Sequence, residues 1–324
     1  IAKGYPKRHI LLKWTREDEH SWEPYGSASL NKVFGAINDD GEIVYWSNEA
    51  YSDTYLSRPS DIELNNFTSY KFLTNPLDVY VGKSLEVYGE WSHGELSAIS
   101  SLVTKNANIL EVGSNIGAHT VFIAKEICPE GSVYAFEPRR ILFQNLCANL
   151  CINEISNVHA FQKALGLDFD IIFEGPILQD GLVNHGAFDL GSIDGVGEHI
   201  NVEPLDAYLE HFQKIALIKA DVEGFEEDVL RGGSQIISRD NPILYLENDR
   251  VEKSQSLIEY AWAIGYDLYW HIVPLFRNDN NARTPYNIFG NVHSFNMLGI
   301  HKSAGISLDE ASKITDSSKH PLKP

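Results

Sequence analysis

The chain has 324 residues, of which 43% are hydrophobic and 22% are charged, so it can bury a large core and is not disordered throughout. Its 45 acidic residues outnumber the 26 Lys and Arg, and the formal charge of −19 argues against a nucleic-acid partner, because a phosphate backbone would be repelled. The three cysteines, Cys128, Cys147 and Cys151, are too few for a disulfide framework and are expected to be reduced.

No apolar run approaches the roughly 20 residues that a membrane-spanning helix needs. Residues 1–14 are basic, but they lack the apolar core and the small-residue cleavage site of a secretory signal. We therefore expect a cytoplasmic protein without a membrane span.

The first 75 residues are rich in aromatic and polar turn residues, and residues 33–46 carry a β-hairpin signal. We predict that residues 1–75 form an accessory segment. Two roles are open to it, a cover over the active site or the contact of a homodimer.

From residue 96 onward, apolar runs alternate with helical periodicity, which is typical of βα units around a parallel sheet. Strands are predicted near residues 108–113, 132–137, 157–162, 215–220, 243–247, 266–271 and 292–299. Helices are predicted near residues 94–104, 116–127, 139–150, 224–233 and 252–264. No helix separates the last two strands, so we expect a doubly wound α/β fold whose mostly parallel sheet ends in an antiparallel edge.

Two further segments complete the predicted organisation. Residues 167–203 are too long for a simple connection and are either functional or a small hairpin insertion. Residues 303–324 lose apolar periodicity and are expected to be a fraying C-terminal tail. The catalytic domain is accordingly placed at residues 76–302.

The strongest local signal is the segment 108–120, in which an apolar strand runs into a glycine-punctuated turn and then a helix. Gly113 and Gly117 allow the backbone to approach a ligand closely, so a nucleotide-like cofactor fits there. A dinucleotide site would carry three glycines as G-x-G-x-x-G, whereas this pair is preceded by Glu111 in the strand. The missing glycine argues against a nicotinamide cofactor.

An acid ends the second strand. Glu137 lies about 20 residues beyond the glycine turn, where α/β nucleoside sites place a carboxylate that accepts the ribose hydroxyls. Its alternative role is to cap the next helix, which Pro138 would suit as a starting residue. We favour the ribose role.

Four segments in chain order extend this pattern: Tyr88-Gly89-Glu90, residues 111–120, Phe136-Glu137-Pro138, and residues 219–226, which read Lys-Ala-Asp-Val-Glu-Gly-Phe-Glu. Over about residues 80–300 the chain resembles the FkbM-type methyltransferases. The resemblance implies a seven-stranded Rossmann-like sheet of the class I methyltransferases, with S-adenosylmethionine as cofactor. Ser114 stands where this family often has alanine, so a small residue is kept.

The cofactor site is expected to draw on these motifs and on Lys163, near the end of the third strand. The residues assigned to it are Tyr88, Gly89, Glu90, Glu111, Gly113, Ser114, Asn115, Gly117, His119, Thr120, Glu137, Pro138, Lys163 and Asp221.

Methylation of a hydroxyl oxygen requires that the acceptor lose its proton, so a base or a metal ion must stand beside it. Asp221 and Glu223 follow the fourth strand, at the sheet edge where ligands of such folds bind. These two residues and His271, at the end of the sixth strand, are the candidate catalytic bases.

A divalent cation is the alternative use of the same carboxylates. Some proteins with this sheet bind a cation through an acid after the fourth strand and an acid–amide pair after the fifth, an arrangement that Asp221, Glu247 and Asn248 resemble. Oxygen ligands would favour Mg²⁺. Without a metal, Glu247 and Asn248 are expected to bind substrate.

Two segments are expected to form the acceptor wall. Asn184 and His185 lie in the insertion and are assigned to the substrate, although a plain turn is the alternative. Residues 270–294 combine aromatics with many amides, which suits a polyhydroxylated small molecule or glycan. The predicted function is S-adenosylmethionine-dependent O-methylation of a sugar, glycan or secondary metabolite. A nicotinamide-dependent oxidoreductase and a catalytically silent ligand-binding domain are the alternatives.

Overall fold

The computed structural model describes the residues 10–12, 29–37, 43–52, 63–67, 70–75, 77–174, 198–306, 308 and 312–323. The chain divides into two compact units, Ile1–Ser60 and Asp61–Pro324. The boundary between them precedes the predicted end of the accessory segment at residue 75, and that predicted extent stays a prediction.

The first unit contains a three-stranded antiparallel sheet in the order β1-β2-β3. Its strands are β1 (Ile10–Leu12), β2 (Ser29–Ile37) and β3 (Ile43–Ser52). The pairing of β2 with β3 confirms the hairpin that was predicted over residues 33–46.

The second unit begins with a hairpin and two helices. These elements are β4 (Glu63–Phe67), β5 (Tyr70–Thr74), α1 (Val81–Tyr88) and α2 (His93–Leu102). The start of α2 agrees with the predicted helix, whereas α1 has no counterpart in the prediction.

A seven-stranded sheet forms the centre of this unit. The chain runs through β6 (Asn108–Val112), β7 (Val133–Phe136) and β8 (Val158–Phe161), then through an insertion with β9 (Ala164–Gly166), β10 (Asp170–Glu174) and β11 (Glu198–Pro204). It continues with β12 (Ile215–Ala220), β13 (Ile243–Glu247), β14 (Tyr266–Pro274) and β15 (His293–His301). All seven predicted strands are present in the sheet.

The order across the sheet is β14-β15-β13-β12-β6-β7-β8. The chain leaves β6 toward β7 on one side and later continues from β12 on the other, so the strand order reverses between β6 and β12. In open α/β sheets, ligands bind at the carboxyl ends of the strands beside such a reversal. The mostly parallel, doubly wound fold is confirmed.

The sheet ends in an antiparallel edge, as predicted. The reversed strand is β15, which pairs antiparallel with both β13 and β14 and therefore lies one place in from the edge. The edge strand is β14, because β15 is inserted between two strands that precede it in the chain.

Helices cover both faces of the sheet. They are α3 (Ala118–Phe122, continued as a π-helix over Ile123–Ile127), α4 (Arg140–Ile152), α5 (Glu226–Gly232), α6 (Ser234–Asp240) and α7 (Val251–Ala263). Successive residues of a strand face opposite sides: Ile109 packs with α2 to α4, and Leu110 packs with α5 to α7. This burial of apolar surface on both faces stabilises the fold.

The described parts of the insertion and of the C-terminal segment contain paired strands and buried side chains. Strands β10 and β11 pair antiparallel, and β11 pairs parallel with β9, which confirms a small sheet insertion for these strands. Ile314 and His320 are buried, and His320 Nε2 lies 2.8 Å from the carbonyl oxygen of Asn248. The expected fraying of residues 303–324 is therefore wrong for the described part of that segment.

None of the described helices combines the length and apolarity that crossing a bilayer requires.

Candidate active site

A cavity of about 380 Å³ opens at the carboxyl ends of β6, β7, β12 and β13. It lies at the reversal of the strand order, as the fold class predicts. The predicted site residues that line it are Glu111, Gly113, Ser114, Asn115, His119, Glu137, Pro138, Asp221, Glu223 and Glu247. Asn184 and His185, both predicted to bind substrate, lie outside the described residues.

The glycine turn after β6 is held by the neighbouring strand and by close packing. The backbone N–H groups of Gly113 and Ser114 both donate to the carbonyl of Phe136, at 2.9 Å each. Gly113 has φ +84°, and a Cβ there would lie 1.9 Å from the backbone oxygen of Asp221. Only glycine fits this position, so the turn and the loop after β12 meet at the cavity floor.

Glu137 is buried, with 4% of its surface exposed. Its Oε2 accepts from the backbone N–H of Asn115 at 2.8 Å, and its Oε1 accepts from that of Arg139 at 2.9 Å. The second bond goes to Arg139, the residue that precedes α4. The two bonds together fix the orientation of a carboxylate at the cavity wall.

Behind the turn, Glu111 is buried and accepts a 2.6 Å hydrogen bond from Thr120 Oγ1. Burial raises the pKa of Glu111 to about 7, against the opposing effects of Lys219 and Thr120. Thr120 thus fixes the position of the Glu111 carboxyl group behind the turn. Gly117 allows the end of the turn to pack closely against α4, because a Cβ there would lie 2.8 Å from Leu146 Cδ1.

Lys219 and Asp221 form an ion pair at the end of β12, with 3.2 Å between Nζ and Oδ2. Burial acts to raise the pKa of Asp221, but Lys219 and a hydrogen bond with Glu247 outweigh it and lower that pKa. Burial and the charge of Asp221 raise the pKa of Glu247 well above its usual value. Of this carboxyl pair, Asp221 is therefore the stronger acid.

Glu223 pairs with Arg250. Burial and the charge of Asp221 raise the pKa of Glu223 to about 8, although Arg250 opposes the rise. Arg250 also contacts Asp249 Oδ2 at 2.6 Å. The guanidinium group therefore neutralises part of the acidic mouth of the cavity.

Of the three residues predicted to hold Mg²⁺, Asp221 and Glu247 line the cavity and Asn248 does not. Asn248 Nδ2 donates to Ser254 Oγ at 2.9 Å. Among the described residues, a different trio, Glu223, Glu247 and Asp249, has carboxylate oxygens within 4.8 Å of one another. Two of these three already pair with Arg250, so the acidic side chains have an internal counter-charge.

His271 does not line the cavity. Its Nδ1 lies 2.7 Å from Tyr245 Oη, and burial lowers the pKa of the imidazole. The imidazole predicted as a base thus contacts Tyr245 outside the cavity lining. Of the three candidate bases, only Asp221 and Glu223 line the cavity.

The Tyr88-Gly89-Glu90 segment holds a loop instead of lining the cavity. The loop 275–292 joins β14 to β15, and its Asn281 N–H donates to Glu90 Oε2 at 2.9 Å. Arg277 Nε lies 3.0 Å from Glu90 Oε1, and Ile288 N–H donates to Tyr88 Oη at 2.7 Å. The two ends of this loop, Leu275 and Val292, do line the cavity.

Lys163 belongs to a second cavity of about 380 Å³, which is mostly apolar. Its ammonium contacts Glu203 Oε1 at 2.6 Å. The two cavities share Gly113, Pro138 and Val222 in their walls. They therefore lie next to each other beside the glycine turn.

Sequence reasoning missed several cavity residues. Trp91 lies in the turn between α1 and α2, and Glu95 lies in α2. The other three immediately precede helices: Tyr80 precedes α1, Arg139 precedes α4 and Arg250 precedes α7. Glu95 could have been noticed as an acid in the segment between Glu90 and β6. Its burial, at 3% exposed, is set by tertiary packing that no local pattern reveals.

The chain is similar in sequence to known methyltransferases. The model of the FkbM methyltransferase domain family matches residues 111–272, half of the chain. "Methyltransferase 1" of Beauveria bassiana (strain ARSEF 2860) is 24% identical over 184 residues, which are 49% of this chain and 73% of that protein.

Two solved structures have weaker similarity. Methyltransferase FkbM from Methylobacillus flagellatus KT aligns with a TM-score of 0.40 and 17% identity, over 62% of this chain and 47% of that one. Precorrin-6y C5,15-methyltransferase from Geobacter metallireducens GS-15 aligns with a TM-score of 0.42 and 11% identity, over 64% and 88%. On the family match over half of its length, the chain belongs to the FkbM methyltransferase family.

Proposed function

We propose that the protein is an S-adenosylmethionine-dependent O-methyltransferase that acts on a hydroxyl of a sugar, glycan or secondary metabolite. The observation that carries the cofactor assignment is the buried, oriented carboxylate of Glu137 beside the glycine turn. An ionised carboxylate presents two oxygens, each able to accept more than one hydrogen bond. These acceptors suit the two hydroxyls of a ribose, which donate to them.

The space around Glu137 also suits an adenosine-bearing molecule. Gly113 leaves no side chain between the turn and the loop after β12. The apolar second cavity offers a place for the purine beside Leu165 and Phe169, and the polar first cavity receives the amino-acid end. When bound, S-adenosylmethionine supplies the methyl group.

Asp221 is the proposed base. Lys219 keeps it ionised, and it reaches the cavity from the floor, where an acceptor hydroxyl would meet it. With the cofactor bound, Asp221 would accept the proton that the acceptor hydroxyl loses as its oxygen takes the methyl group and the carbon–sulfur bond of the cofactor breaks. Positioning of the acceptor supplies much of the remaining rate enhancement.

The acceptor class is inferred from the cavity walls. The lining combines several carboxylates with the rings of Trp91 and Tyr80 and with Leu275 and Val292, the two ends of the loop 275–292. A polyhydroxylated acceptor can donate hydrogen bonds to the carboxylates while its apolar face packs on the aromatic rings. The net charge of −19 disfavours nucleic acid as acceptor.

Because Arg250 pairs with two of the acids, the proposed transfer runs without Mg²⁺, so EDTA should leave the rate unchanged. A loss restored by Mg²⁺ would refute this point.

Titration calorimetry with S-adenosylhomocysteine and with NAD tests the cofactor. The proposal predicts that the wild-type protein binds S-adenosylhomocysteine and does not bind NAD. Glu137→Gln should weaken the affinity for S-adenosylhomocysteine roughly 10- to 100-fold, because one or two charge-assisted hydrogen bonds are lost. Glu130→Gln, the same change at an exposed site, is the matched control. Binding of NAD alone would favour the oxidoreductase instead.

A further inference from the structure

Glu95 is a buried acid that lacks a partner for one of its oxygens. It lies in the first turn of α2, is 3% exposed and lines the first cavity. Its Oε1 accepts a 2.7 Å hydrogen bond from Ser92 Oγ. Its Oε2 is buried and has no hydrogen-bond partner among the described residues.

Burial of an unpaired carboxylate oxygen is unfavourable unless a ligand provides the missing donor. The nearby cation does not provide it. Lys219 forms its ion pair with Asp221, and within the described part of the chain no ion pair of 4.0 Å or less joins Lys219 to Glu95. Three buried or half-buried acids, Glu95, Glu111 and Asp221, thus share one lysine at this end of the cavity.

The surroundings of Glu95 indicate which ligand group fits. Ser114, His119 and Trp91 line the same cavity, and His119 Nε2 lies 3.0 Å from the carbonyl oxygen of Trp91. These residues line the first cavity alone, whereas the apolar second cavity has a different lining that includes Leu165 and Phe169. A ligand whose ribose lies at Glu137 and whose purine enters the second cavity therefore extends its amino-acid end into the first.

We infer that Glu95 Oε2 binds the α-ammonium group of the cofactor's methionyl moiety. The inference rests on the proposed function and deepens it. It makes Glu95 a cofactor-binding residue contributed by a helix that precedes the motifs of the sheet. An ammonium group supplies both the missing hydrogen-bond donor and the missing positive charge.

The test compares two ligands that differ only in that group. Titration calorimetry would use S-adenosylhomocysteine and its analogue in which hydrogen replaces the α-amino group. The wild-type protein should prefer S-adenosylhomocysteine by roughly 10- to 100-fold. Glu95→Gln keeps the shape and the acceptor for Ser92, and it should abolish most of this preference while the affinity for the deaminated analogue stays within about twofold. Glu130→Gln should retain the full preference.

The ratio of the two affinities is internal to each variant, so poor folding would not imitate the result. If Glu95→Gln binds neither compound, the ratio is read from Glu95→Asp, which keeps the charge and should keep part of the preference. A preference unchanged in Glu95→Gln, or absent from the wild-type protein, would overturn the inference and leave the proposed function intact. A wild-type protein that binds neither ligand would overturn the proposed function itself.

Discussion

The ammonium of Lys219 lies 3.2 Å from Oδ2 of Asp221, two residues along the same strand end. The lysine side chain is 2% exposed and the aspartate side chain is 35% exposed, so a buried cation supports a carboxylate that faces the cavity. Burial acts to lower the pKa of Lys219, but Asp221, Glu95 and Glu111 outweigh it and raise that pKa. The lysine therefore stays charged and holds Asp221 ionised.

Asp221→Asn should reduce the rate of methyl transfer roughly 100-fold or more, because an amide cannot accept the hydroxyl proton. The affinity for S-adenosylhomocysteine should stay close to that of the wild-type protein. Asp316→Asn, a matched change at a surface residue, should have no effect on either quantity. Full activity of the Asp221 variant would remove this residue from the mechanism.

Lys219→Gln should change the pH dependence of the rate. Without the lysine charge, the pKa of Asp221 rises, so a larger fraction of it is protonated at a given pH and the acidic limb of the kcat profile moves to higher pH. The variant should recover part of its activity as the pH is raised. A uniform loss at every pH, in a protein with a normal melting curve, would indicate that Lys219 does not act through Asp221.

Glu90→Gln should loosen the loop 275–292, because the change removes the charge that pairs with Arg277. Hydrogen exchange of the Asn281 amide, which donates to Glu90, should become faster, and the KM for the acceptor should rise. The affinity for S-adenosylhomocysteine should not change by more than about twofold. Glu86→Gln, an exposed acid on α1, is the control. A large loss of cofactor affinity would instead support the cofactor role that the sequence predicted for Glu90.

Glu111 should make stability depend on pH. Its pKa is raised by burial from 4.5 to about 7 in the folded protein, so between these values the unfolded chain has released the proton and the folded protein still holds it. Stability should therefore fall as the pH rises from 4.5 to 7 and then level off. Chemical denaturation at pH 5 and pH 8 should show a decrease that is smaller in Glu111→Gln by roughly 1–3 kcal/mol. An identical decrease in both proteins would contradict this account.

Much of the fold could be predicted because each strand carries its own local signal. The runs that became β6, β7, β12 and β13 are short and apolar, and turn residues bound them, so their positions agree with the structure within a residue or two. The place of β15 could not be predicted in this way. Hydrophobic periodicity identifies a strand but does not state which neighbours it pairs with.

The site was predictable where a residue lies within a strand-end motif. Gly113, Glu137 and Asp221 follow strands of a parallel sheet, whose carboxyl ends converge. Glu90 and His271 were harder to assign, because their partners Asn281 and Tyr245 are distant in sequence. A residue's sequence motif did not reveal whether its side chain faces the ligand or supports a loop.

The most direct test of the central claim is a crystal structure of the protein with S-adenosylhomocysteine. The account predicts that the two ribose hydroxyls lie within hydrogen-bond distance of the Glu137 carboxylate oxygens, about 2.5–3.0 Å, and that the sulfur faces the cavity floor at Asp221. A ligand bound elsewhere, or one whose ribose makes no contact with Glu137, would contradict it.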